Sequence, residues 1–134
     1  MASEYPATGA ENQILFTRPK LIRLRRTEAF SRCYNAGFRV GDGHLLLFAA
    51  TNDLPHVRVG VSVSKKHGNA VRRNRRKRLL REATRLCQHD LPALDLVLVP
   101  RQTDRSTLTD YQSSIVALTA RLAKRINRNQ KVDG

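Results

Sequence analysis

Residues 57–87 run from an alternating strand, through a glycine loop, into a helix whose first turns are almost wholly cationic. No fold can bury those turns, so everything else must be arranged around them. Val57 to Val63 reads VRVGVSV, a strict alternation that predicts a strand with its four valines on one buried face. Arg58, Gly60 and Ser62 take the other face, where the glycine is expected to leave the strand bare and open to another molecule. Lys65, Lys66, His67 and Gly68 form a loop, with Gly68 free to adopt positive φ. Asn69 suits the N-cap of a helix from Ala70 to Cys87, a stretch with no internal Gly or Pro. From Arg72 to Arg78 every residue except Asn74 is basic. Residues 65–85 hold ten Lys or Arg and one acid, Glu82, which leaves +9 of a whole-chain formal charge of +14. Like charges three and four apart on a helix repel by a few tenths of a kcal/mol per pair, a strain that a bound polyanion relieves. The apolar stripe of Leu79, Leu80, Ala83, Leu86 and Cys87 begins only in the second half. The rear of the helix is therefore anchored to a core, and its first two turns present Arg72, Arg73, Asn74, Arg75, Arg76, Lys77 and Arg78 outward. A solvated basic face or an import-type signal is the bland alternative.

The rest of the chain supplies a scaffold. At 134 residues it is long enough for one domain, expected over 21–128, with tails at 1–20 and 129–134. Thr27 opens a helix running to about Ala36 and stopped by Gly37, with Phe30 and Tyr34 on one face. Arg39–Val40 and His44–Ala50 read as a hairpin turned by Gly41, Asp42 and Gly43. LDLVLV, from Leu94, is a buried strand stopped by Pro100. Thr107 or Thr109 caps a last helix whose apolar face is Tyr111, Ile115, Leu118, Leu122 and Ile126. Its end, Lys124 to Lys131, is basic again, either as a complement to the helix dipole or as a further contact for a polyanion. The order α-β-β-β-α-β-α predicts an α+β fold, helices packed on a mixed four-stranded sheet.

Several classes of chemistry are missing. The acids are few and dispersed, no serine–histidine–carboxylate set can be placed, and no carboxylate pair is spaced like a two-metal nuclease site. The four histidines and two cysteines show no metal-ligand spacing. Cys33 and Cys87 fall in different helices and read as reduced core thiols of a cytoplasmic protein. No secretory signal and no apolar run of membrane-spanning length is found, so no membrane partner is expected. A pI near 11.2 predicts attraction to polyanions, either nucleic acid or an anionic membrane. A basic-region DNA-binding helix would need heptads after the basic run, and Leu79 and Leu86 are not continued before Pro92, so DNA is not expected. A ribosomal or general RNA-chaperone protein would share the charge.

SKKHGNAVRRNRRKRLLRE, residues 64–82, resembles the signature of the bacterial ribonuclease P protein subunit, in which a KK-x-GNAV-type loop precedes an RNR turn of helix. Here the RNR is Arg73-Asn74-Arg75. A weaker resemblance spans roughly 21–127. It implies an RNA-based endoribonuclease whose RNA subunit, with Mg²⁺, removes the 5′ leader of precursor tRNA while the protein assists. It also implies that the protein alone binds no cofactor and that the helix of residues 70–87 makes a left-handed crossover between parallel strands. Contacts to the catalytic RNA are expected from Lys65, Lys66, Gly68, Asn69, Arg72, Arg73, Asn74, Arg75, Lys77, Arg78 and Arg81, which neutralise phosphates. The 5′ leader of precursor tRNA is expected in a cleft of Arg26, Phe30, Tyr34, Phe48, Arg58 and Ser62, where aromatic rings stack on bases with little sequence preference.

Overall fold

A computed structural model of the chain describes residues 22–102 and 105–133, with the side chains of the last helix described through residue 128. Three helices, α1 (Thr27–Asn35), α2 (Ala70–Cys87) and α3 (Leu108–Asp133), pack on four strands, β1 (Phe38–Gly41), β2 (Leu45–Thr51), β3 (Arg58–Val61) and β4 (Leu94–Pro100). The spatial order is β1-β2-β4-β3. The pairings β1–β2 and β2–β4 are antiparallel, and β3–β4 is parallel. The fold is α+β with a mixed sheet, in the expected order. Because α2 joins two adjacent parallel strands, it is the crossover to which the resemblance assigns its hand. The expected tail at 1–20 lies outside the described residues, and α3 stays helical through Asp133, across the expected boundary at 128.

The local signals act as their chemistry dictates. The Asn69 side chain accepts from Arg72 N at 3.0 Å and caps α2. Gly68 sits at φ 110°, where a side chain would be strained, and lets the loop turn into that cap. Thr107 and Asp110 form a reciprocal box at the start of α3, Asp110 N donating to Thr107 Oγ1 at 3.1 Å and Thr107 N to Asp110 Oδ2 at 2.9 Å. Asp42 makes the hairpin turn by accepting from His44 N at 2.8 Å and Leu45 N at 2.9 Å.

The core lies between one face of the sheet and the pair α2 and α3. Leu45, Leu47, Ala49, Val59, Leu94, Leu96 and Leu98 meet Leu80, Ala83 and Cys87 of α2 and the expected stripe of α3. Nearly all are fully enclosed, and each buried Leu or Ile is worth about 2 kcal/mol. Helix α1 covers the opposite face, over a second cluster of Leu24, Cys33, Ala50 and Val97. Period-2 patterning misses one element. Ile22–Leu24 pairs parallel with β3 at its outer edge, Leu24 N donating to Val59 O at 3.0 Å and Val59 N to Ile22 O at 2.9 Å. Three residues are too short for alternation to be legible, yet they cover an otherwise open strand edge.

Candidate nucleic-acid interface

The helix α2 divides its cations by its own period. Arg72, Asn74, Arg75 and Arg78 are exposed, while Arg73, Lys77 and Arg81 are half-buried. Arg76 corrects the expectation that all six cations from Arg72 to Arg78 face outward. It is buried at 8% exposure, with Nη1 donating to Tyr111 Oη at 3.0 Å and the guanidinium 5.8 Å from that ring's centroid. The reason is register: 76, 80, 83 and 87 share the inward stripe, and arginine alone among the cations tolerates that site by lying on an aromatic ring. In the RNR turn, Arg73 Nε is enclosed and has no hydrogen-bond partner among the described residues. Arg81 has its pKa held below the usual arginine value, first by burial and then by the charge of Arg23. The edge segment missed by patterning thus adds Arg23 to the cationic surface.

The loop before α2 is fixed at both ends. Ser64 Oγ accepts from Lys66 N at 3.3 Å, and Lys65–His67 form one 3₁₀ turn. The His67 ring reaches Pro100 O at 2.8 Å, and since a carbonyl only accepts, Nε2 carries the proton. This bond ties the loop to the end of β4. Lys65, Lys66, Gly68 and Asn69 remain exposed. Beside the loop an open pocket of about 400 Å³ has Leu46 and Val99 as an apolar floor and Lys66, His67, Arg101 and Gln102 among its rim residues. No sequence motif marks Leu46, Val99 or Arg101, although Leu46 alternates with the core residues Leu45 and Leu47 and must face the other side.

On that same side lie the aromatics expected to form the cleft. Tyr34 and Phe48 meet edge to face, centroids 4.8 Å apart at 76°, with Tyr34 41% exposed and Phe48 half-buried. Phe30 is half-buried and packs on the second cluster. It also lies on Gly60: a Cβ there would stand 2.4 Å from Phe30 Cζ. The strand face at Gly60 is therefore not bare, because the group that the glycine admits is the chain's own phenyl ring. Ser62 is half-buried and its N–H extends the ladder to Leu98 O at 2.9 Å. Arg26 is exposed at the N-cap position of α1 and makes no side-chain cap there.

Arg58, expected among the cleft residues, is held by an ion pair within the protein. Its Nε donates to Asp95 Oδ1 at 2.8 Å and its Nη2 to Oδ2 at 2.6 Å, a bidentate pair. Asn52 Nδ2 adds a bond to Oδ1 at 2.8 Å, and Arg32 closes on Oδ2. Asp95 is fully enclosed. Burial pushes its pKa up, but the Arg58 and Asn52 hydrogen bonds and the Arg58 and Arg32 charges outweigh this and hold it below the usual carboxylate value. The sequence carried a signal for this network: one carboxylate inside LDLVLV must find donors or stay out of a strand core.

Among the described residues no three His, Cys, Asp or Glu side chains cluster to hold a metal ion, and no helix is long and apolar enough to cross a membrane.

The family model described as Ribonuclease P matches residues 18–123. The ribonuclease P protein component of Desulfovibrio desulfuricans is 36% identical over 122 residues, covering 87% of this chain and 94% of that protein. That of Staphylococcus epidermidis is 37% identical over 115 residues, covering 84% and 98%. Among solved structures, the Staphylococcus aureus RNase P protein aligns with a TM-score of 0.66 at 33% identity, covering 78% of this chain and 97% of that one. The Thermotoga maritima RNase P protein aligns at 0.67 and 27% identity, covering 74% and 96%. By sequence, by fold and by the loop and RNR turn that both place on one exposed cationic surface, the chain belongs to the ribonuclease P protein family.

Proposed function

We propose that the chain is the protein subunit of the ribonuclease P ribonucleoprotein and works on two RNAs at once. The exposed turns of α2 and the loop at Lys65–Asn69 bind the catalytic RNA. The uncovered part of the sheet holds the single-stranded 5′ leader of precursor tRNA. The observation that carries this reading is the half-exposed Tyr34–Phe48 pair on a sheet face only part-covered by α1, contiguous through Leu46 and Val99 with the cationic loop. Rings of this kind stack on any base, worth about 1–3 kcal/mol each, and the flanking cations track the backbone. Cleavage, an endonucleolytic step, belongs to the RNA, which holds Mg²⁺ and supplies the chemistry. The protein contributes by lowering phosphate repulsion where the RNA strands converge. This work is placed in the cytoplasm, with neither DNA nor membrane as partner.

The test is cleavage of precursor tRNA by a cognate catalytic RNA at low Mg²⁺, with and without the protein. Faster leader removal with the protein, and no cleavage by the protein alone, is expected. An unchanged rate across the Mg²⁺ range overturns the proposal.

A further inference from the structure

The basic end of α3 remains outside the surfaces described so far, and its position gives it a use. Helix α3 runs over β1, the outer strand on the side away from β3. Arg125 reaches across that edge and donates from Nη1 to Arg39 O at 2.7 Å. Arg125 and Arg128 line a pocket of about 260 Å³ with Ala36, Gly37 and Phe38, the turn between α1 and β1. Arg128 has no hydrogen-bond or ion-pair partner among the described residues. Gly37 leaves the pocket open: a Cβ built there meets nothing within 4 Å.

The register connects this pocket to the aromatic pair. Arg39 stands opposite Phe48 in the β1–β2 ladder, so the two side chains share a face. Tyr34, whose ring meets Phe48, lies two residues before Ala36 on the pocket wall. In the other direction across the sheet the way is closed, because Phe30 and Leu24 sit over Gly60. Among the described residues the face therefore has one open route. It runs from the loop pocket over Leu46 and Val99 to Phe48 and Tyr34, then past Arg39 and off the β1 edge at Arg125 and Arg128. Apolar and aromatic groups form its floor, and Lys66, Arg101, Arg39, Arg125 and Arg128 recur along it with no carboxylate among the pocket residues at either end.

We propose that Arg125 and Arg128 form an exit site for the sugar–phosphate backbone of the leader, engaging phosphates that lie beyond the bases stacked at Tyr34 and Phe48. The inference rests on the leader reading above. Dipole complementation alone accounts for cations at a helix end, but it does not require them to converge on an open glycine turn at the edge of an aromatic floor.

The experiment measures affinity of the reconstituted particle for precursor tRNAs whose leaders lengthen one nucleotide at a time, for wild type, Arg128→Ala, Arg125→Ala and Tyr34→Ala. Wild-type affinity rises with leader length and gains a last step when the leader reaches the β1 edge. Arg128→Ala removes that last step, about three- to fivefold, and leaves short leaders unchanged. Arg128 supports no strand, so its loss is read without a folding complication; Arg125→Ala repeats the result with the edge bond also removed. Weakening by Arg128→Ala that is equal at every length, or no weakening at any length, overturns the exit site. Tyr34→Ala separates the two claims. If it abolishes the early rise while Arg128→Ala does nothing, the exit site alone falls. If neither variant alters the dependence on leader length, the cleft reading falls with it.

Discussion

Against α2 and α3 the sheet is dry and aliphatic: Leu47, Leu96 and Leu98 are completely enclosed, and Tyr111 of α3 meets them as one more core side chain. The opposite face of the same strands carries Arg39, Phe48, Gly60, Arg58 and the enclosed carboxylate of Asp95, with α1 covering only part of it. The strands differ between faces by a single residue of register, since alternate side chains point opposite ways. One side is optimised for packing density. The other keeps rings half-exposed and charges paired, which costs stability and leaves a surface that RNA can occupy. The difference teaches that on the second face, exposure of an aromatic or a cation is informative only after its internal partners are counted. Tyr34 and Phe30 lie on the same helix face, yet only Tyr34 projects into solvent.

That contrast can be broken most strongly at Asp95. Asp95→Asn should cost about 3 kcal/mol at neutral pH, since it removes the buried charge that holds Arg58 and Arg32. The pH dependence follows from the lowered pKa. Unfolded, the carboxyl titrates at its ordinary value of about 3.9; folded, it titrates lower. Its contribution is therefore complete above the unfolded value and is lost as pH falls through the folded one. Urea titrations from neutral pH down to about pH 3 should show wild type losing stability at the acid end and Asp95→Asn losing less. Equal slopes would remove Asp95 from the account.

Gly60→Ala sharpens the comparison without any charge. The new Cβ has to displace Phe30, so about 1–3 kcal/mol should be lost in thermal unfolding, along with the seat of α1. A neutral substitution would mean that Phe30 does not rest there.

Within α2 the same inward–outward contrast separates two neighbouring arginines. Arg76→Ala should cost about 2 kcal/mol of stability, because its hydrogen bond to Tyr111 and its place on that ring are lost. Arg75→Ala should leave stability within about 0.5 kcal/mol and reduce the slope of log affinity against log salt for the catalytic RNA by about one unit. A reversed pattern would mean that the helix is rotated from the orientation described.

Much of this was legible in the sequence. The strand–loop–helix at 57–87, its Asn69 cap, the positive φ of Gly68 and the apolar stripe of α3 follow from local rules that tertiary context did not override. What stayed hidden required long-range pairing. Arg76 looks like its neighbours until Tyr111 is placed under it. Arg58 looks like a cleft residue until Asp95, 37 residues later, accepts from its Nε and Nη2. Gly60 advertises a close approach without saying by what. The Ile22–Leu24 edge has too few residues for a period, and Arg39, Arg125 and Arg128 come together only because β1 lies under α3.

The central claim is that the open part of the second face holds the leader, and Tyr34→Ala tests it with the smallest structural disturbance. Binding of precursor and mature tRNA to the reconstituted particle is measured beside thermal unfolding of the protein. Because Tyr34 is 41% exposed, Tm should shift by no more than about 3 °C. The preference for precursor over mature tRNA should fall about tenfold, the loss of one stacked base. Preference retained at full strength, or both tRNAs weakened alike, would contradict the account.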